Sequence, residues 1–143
     1  MREILFRGKR IDSVEWVYGT MYKIAKDLNP FILTGGKWGC SYQVDEETVC
    51  QYTGLKDKNG KMIFEGDMIK PFDDEIDKMV VEFHHGQFLL CLYGERGYMA
   101  EYGWEEEGNY GCFEAEPLSS YGDDIEVIGN IHDNKLEDFD NGR

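Results

Sequence analysis

Three histidines and four cysteines are the residues of this 143-residue chain with the most direct routes to metal or nucleophilic chemistry. His84 and His85 are adjacent, and His132 is followed by Asp133. Zinc needs three or four convergent ligands. Neighbours on a strand point to opposite faces, so a His-His pair in an extended segment cannot easily grip one ion. The pair reads instead as turn residues at the mouth of a hairpin, exposed to water. His132 could approach it only through the fold. Cys91 with His85 as nucleophile and base is weaker still, because an apolar run raises a thiol's pKa and lowers its reactivity. Cys40, Cys50, Cys91 and Cys112 form no CxxC pair. They read as free thiols, mostly small core residues, in a reducing compartment.

The carboxylates offer a second set of candidates. "DDEID" (Asp73 to Asp77) and "EEE" (Glu105 to Glu107) suggest calcium, but neither has the regular spacing and central glycine of an EF-hand loop. "DFDNG" near the end runs out of chain before a closing glutamate. These runs read as solvated acidic loops. Glu65 and Asp67 flank Gly66 and resemble a catalytic pair, yet an aspartate at a strand corner commonly accepts neighbouring amide hydrogens. Gly35-Gly36-Lys37 lacks the rest of a phosphate-binding loop.

The elements that must position these groups are short strands. Glycine occurs 17 times and proline three times, and the glycines punctuate short apolar runs, a pattern that works against long helices. "REILFRG" and "EWVYGTMYKI" read as strands rich in aromatic and β-branched residues. A turn at Asn29-Pro30, a strand at Phe31 to Leu33 and a turn at Gly35-Gly36 follow. Asp45 precedes Glu46, Glu47 and Thr48 and is expected to cap one helical turn. Val49 to Tyr52 then reads as extended.

In "YTGLKDKNGKMIFEGDMIK", Asn59-Gly60 predicts a type I′ hairpin, since both residues tolerate positive φ. Gly66 redirects the chain at "EGD". Asn59, Gly60, Glu65, Gly66 and Asp67 therefore read as a structural motif. "MVVEFHHGQFLLCLY" predicts a hairpin in which Phe88 to Leu92 form a central strand buried on both faces. Residues 93–124 read as long loops with one or two irregular strands. "IEVIGNIHDN" predicts a closing strand with Ile125, Val127, Gly129 and Ile131 on one face, followed by a frayed charged tail.

The expected fold is mainly β with minor α. It comprises an N-terminal β-rich unit (1–54), an SH3-like or OB-like small β-barrel (55–135) closed by strand 125–131, and a flexible tail (136–143).

Composition bounds the function. Hydrophobic residues make up 41% and aromatic residues 14%, enough for a globular core. Acidic residues outnumber basic ones 29 to 15, for a formal charge of -14. Such a body repels phosphate backbones, which disfavours generic nucleic-acid binding. No window approaches the roughly 18 apolar residues of a membrane span. "MREILFRGKR" is too polar for a signal peptide, so a cytoplasmic setting is expected.

Three blocks together resemble the YopX family of small proteins encoded by phages and prophages. They are "MREILFRGKR" with "EWVYG", "ETVCQYTGLKDKNGKMIFEGDMIK", and "IEVIGNIHDN", in an order that spans nearly the whole chain. Cys50 departs from the small residue, such as glycine, expected there. The resemblance implies a mostly β architecture and a mobile-element origin, and it carries over no catalytic residues.

The function expected is a non-enzymatic interaction module with an acidic surface and a host or phage protein as partner. No cofactor and no metal are expected, and a homo-oligomer is open. Tyr98, Tyr102, Trp104, Glu105, Glu106 and Glu107 form the candidate interaction surface. Two alternatives stand beside it. One is a single-stranded nucleic-acid-binding barrel that stacks bases on Tyr98, Tyr102 and Trp104, with Lys56, Lys58 and Lys61 as its basic cluster. The other is a metal-dependent enzyme built on His84, His85, His132 and nearby acids.

Overall fold

Alternating apolar residues between glycine and asparagine breaks leave the backbone one economical solution, which is to pair its short extended runs. The computed structural model describes residues 3–35, 39–70, 79–84, 86–92, 112–117 and 124–133. Among them, every regular element except one three-residue 3-10 turn is a strand, so the protein is mainly β. Outside the described residues lie Gly36 and Lys37 of the glycine turn, the acidic loop 71–78, His85, the candidate surface from Tyr98 to Glu107 and the tail. The chain divides into two compact units, Met1–Gly54 and Leu55–Arg143.

The first unit is built on β1 (Phe6–Lys9), β2 (Trp16–Tyr22), β3 (Phe31–Leu33), β4 (Ser41–Gln43) and the start of β5 (Cys50–Lys56). They pair in the order β4-β3-β2-β1-β5, and the sheet curls into a half-barrel. Register puts Thr20 opposite Leu33 and Tyr22 opposite Phe31, with Met21 opposite Ile32 on the other face. Ile32 and Val44 are wholly buried.

The 3-10 turn, Glu46–Thr48, forms because the Asp45 carboxylate accepts the Glu47 N–H at 3.1 Å. Thr48 then clips the turn to β1. Its hydroxyl accepts the Lys9 N–H at 2.9 Å and donates to the Asp45 carbonyl at 2.7 Å.

The second unit begins as β5 turns back on β6 (Met62–Phe64). It continues with β7 (Asp67–Lys70), β8 (Met79–His84), β9 (Gln87–Leu92), β10 (Cys112–Pro117) and β11 (Glu126–Asn130). The last five make a sheet in the order β10-β9-β8-β7-β11. Strand β8 is the central one; β9 is interior, paired on both sides by β8 and β10, and its consecutive Leu89 and Leu90 are both buried, as the apolar run requires. Ile63, Ile69, Met79, Val81, Leu90, Ile125 and Val127 form the core cluster, with Leu55 and Phe88 packed against it.

Two local expectations are corrected. The Asn59-Gly60 turn is not type I′: Gly60 has φ +80°, whereas the only non-glycine residue with positive φ among those described is Val14. The Gly60 N–H reaches the Asp57 carbonyl at 3.0 Å and the Asp57 N–H reaches the Lys61 carbonyl at 2.8 Å. This is the three-residue hairpin in which a type I turn is followed by a left-handed glycine. Nor does β11 alternate throughout. Val127 lies opposite Ile69 but Gly129 lies opposite Met68, so a bulge intervenes and Asn130, opposite Asp67, becomes the buried residue.

Gly19 marks the tightest approach in the first sheet. A Cβ there would sit 2.0 Å from the Leu33 carbonyl oxygen and 2.8 Å from its carbon. Only backbone movement can relieve that overlap, so Gly19→Ala must prise β3 from β2. A loss of at least about 3 kcal/mol is expected, read from the urea midpoint with an unchanged slope. The strained Val14 (φ +55°) is 71% exposed. Val14→Asn relieves it and should gain about 1 kcal/mol in the same assay.

Candidate functional site

Asp57 begins the hairpin turn as aspartate often does, with its side chain folded back on the amides that follow. Its Oδ1 accepts the N–H groups of Asn59 and Lys61, each at 2.9 Å. Its Oδ2 accepts the Val127 N–H, 70 residues away, also at 2.9 Å. Lys58 adds a backbone bond to the Ile125 carbonyl at 3.0 Å and an ion pair with Glu126 at 3.5 Å. The carboxylate is 5% exposed. Burial pushes its pKa up and is the largest single influence. The amides of Val127, Lys61 and Asn59 and the Lys61 charge together outweigh it, so the group is held below the ordinary value of 3.8.

The corner at 65–67 is occupied in the same way. Asp67, 1% exposed, accepts the Phe64 N–H at 2.8 Å. Gly66 has φ +84°, donates to the Val81 carbonyl at 2.7 Å and accepts from Ile131 at 3.0 Å. Glu65 is half-buried. The Asn130 carboxamide caps the turn after β11, accepting the N–H groups of His132 and Asp133 and donating to the Asp133 carboxylate at 2.9 Å.

These contacts place the residues singled out from the sequence. Asn59, Gly60, Glu65, Gly66 and Asp67 occupy the hairpin turn and the strand corner. His132 lies in the capped turn, and His84 ends β8 opposite Gln87. Among the described residues, no three or more histidines, cysteines or acids are grouped to hold a metal ion. Register sets Cys91 opposite Cys112, two residues far apart in sequence. Sequence reasoning missed Asp57 and Asn130. For Asp57 the signal was present, since aspartate favours the first position of a type I turn. The reach to Val127 had no local signal.

Formal charge is divided between the two units, and so, among the described residues, is apolar exposure. Residues 1–54 hold seven basic and seven acidic residues, whereas residues 55–143 hold eight basic and 22 acidic. The whole net charge of -14 therefore belongs to the second unit. Of nine exposed large hydrophobic residues among those described, all except Phe83 lie in the first.

Replacing Asp57 tests its role. Asp57→Ala leaves buried amides unanswered and should cost about 2–4 kcal/mol in chemical denaturation, with Asp57→Asn costing less. Because its folded pKa is depressed, the stabilisation is full above 3.8 and is lost as pH falls through the lower folded value. The stability difference between wild type and Asp57→Asn should therefore shrink below that pH. A difference constant down to pH 2 would contradict the assignment.

The family described as YopX protein matches residues 5–137. Among solved structures, the chain is similar to protein EF1440 from Enterococcus faecalis, at 21% identity and a TM-score of 0.48, over 96% of this chain and 99% of that one. No curated protein matches. The match over nearly the full length places this chain in the YopX family.

Proposed function

We propose that the protein is a non-enzymatic interaction module of phage or prophage origin, whose acidic unit engages a basic face of a host or phage protein. The observation that carries this reading is the segregation of charge: an excess of 14 acids falls within residues 55–143 while residues 1–54 are balanced. One-signed charge on one body steers a partner of opposite sign and speeds encounter. The buried carboxylates at Asp57 and Asp67 accept backbone amide hydrogens. The acids left for contact are the exposed ones. In sequence, the segment with Tyr98, Tyr102, Trp104 and Glu105 to Glu107 combines aromatic anchors with anions, the mixture that suits an interface with basic residues. YopX-family membership supports the mobile-element setting. No helix among the described residues is long and apolar enough to cross a membrane.

The test uses the full chain as bait in infected or lysogenic cell extract, followed by titration of the purified partner over a salt series. Affinity should fall steeply as ionic strength rises. A triple Glu105→Gln, Glu106→Gln, Glu107→Gln variant should weaken binding by about tenfold at low salt. Salt-independent binding would overturn the reading, as would capture of oligonucleotides at low salt in fluorescence anisotropy.

A further inference from the structure

The outer face of the N-terminal sheet has an unusual composition for this chain. Strand alternation and register bring Tyr18, Thr20 and Tyr22 of β2, Phe31 and Leu33 of β3, and Gln43 of β4 to one side. Tyr18 is 45% exposed, Leu33 42% and Tyr22 37%. Tyr22 and Phe31 stack with ring centroids 5.4 Å apart, and the Tyr22 hydroxyl donates to Ser41 at 2.9 Å. This part of the face carries no Asp, Glu, Lys, Arg or His, although 31% of the chain is charged; Arg7 and Lys9 of β1 lie beside it, opposite Tyr18 and Trp16. Past the end of β2, Ile24 and Leu28 add exposed apolar surface.

We infer that this face is where two copies of the chain meet. Charge decides the occupant. Two copies each bearing -14 cannot approach through the acidic unit, and residues 1–54 are the neutral part of the molecule. A face shared by two copies about a two-fold axis must be complementary to itself. Aromatic and aliphatic groups meet that condition. So do the hydroxyls of Tyr18, Thr20 and Tyr22 and the amide of Gln43, each of which both donates and accepts. A face built for a charged partner would place the opposite charge among these residues, and between β2 and β4 there is none; Arg7 and Lys9, at its β1 margin, lie over the Trp16 ring. Three short strands make a small patch, so the contact belongs to the weak, concentration-dependent class.

The electrostatics give the dimer a distinctive signature. The acidic units repel each other, and salt screens that repulsion, so self-association tightens as ionic strength rises. Binding of a basic partner to the acidic unit has the opposite salt dependence, which lets the two proposals fail separately.

Sedimentation of the full chain from about 1 to about 200 μM, at about 0.05 M and about 0.5 M salt, is the test. We expect a monomer–dimer equilibrium whose Kd falls at least about threefold at the higher salt. Thr20→Glu and Leu33→Glu should each raise Kd by at least about tenfold, while Ile11→Glu, at the hairpin tip, leaves it unchanged. A monomer throughout overturns the inference, as does a dimer that weakens with salt or is indifferent to both face variants. Should a variant melt early, hydrogen exchange on the wild-type chain decides. Protection that rises with concentration in β2 to β4 supports the face, and protection confined elsewhere rejects it.

Discussion

A single carboxylate joins two distant parts of the second unit. Asp57 takes two hydrogen bonds from its own turn and one from Val127. The same side chain thus shapes the hairpin before β6 and holds the strand that completes the sheet on the β7 side. Removing a buried charge from water is costly, and the charge is tolerated because amides whose own partners would otherwise be missing surround it. The depressed pKa is the electrostatic expression of that fit. Without it, the bulged strand β11 would keep its ladder to β7 but lose its tie to the turn.

Other polar groups follow the same logic at smaller range. Asp67 at the corner, Asn130 after β11 and Thr48 beside β1 are each largely buried and each bonded to backbone groups of a turn. Short strands leave many N–H groups at their ends, and a small β protein with few helices must answer them with side chains. Many of the polar residues in the most motif-like stretch of the chain therefore serve folding, as does Gly66, whose left-handed conformation lets the corner bond to both Val81 and Ile131.

With those residues committed to architecture, both proposed associations rest on the surface. The two units differ in composition: residues 1–54 are balanced in charge and carry most of the exposed apolar side chains among the described residues, whereas residues 55–143 hold the excess of acids. Salt acts on them in opposite directions, because screening weakens attraction between unlike charges and relieves repulsion between like ones. The two proposed associations would therefore answer differently to the same change in the medium.

The β class, the strand at Phe31 to Leu33, the Asp45 cap and the burial of Leu89 and Leu90 in β9 were legible because each depends on neighbours within a few residues: alternation, a turn pair, an apolar run. The type I′ reading of Asn59-Gly60 failed for a local reason too, since Asp57 two residues earlier biases the turn toward type I with glycine alone left-handed. The strict alternation read into "IEVIGNIHDN" failed for a non-local one. A bulge is set by pairing with β7 and exchanges Gly129 for Asn130 on the buried side. Composition and order alone determined a mainly β chain of this family with a heavily acidic second half. Only the tertiary structure decided which carboxylate would be buried, that Val127 would come to Asp57, and that uncharged side chains from three strands would share one face. Those are contacts between segments far apart along the chain, and no local preference encodes them.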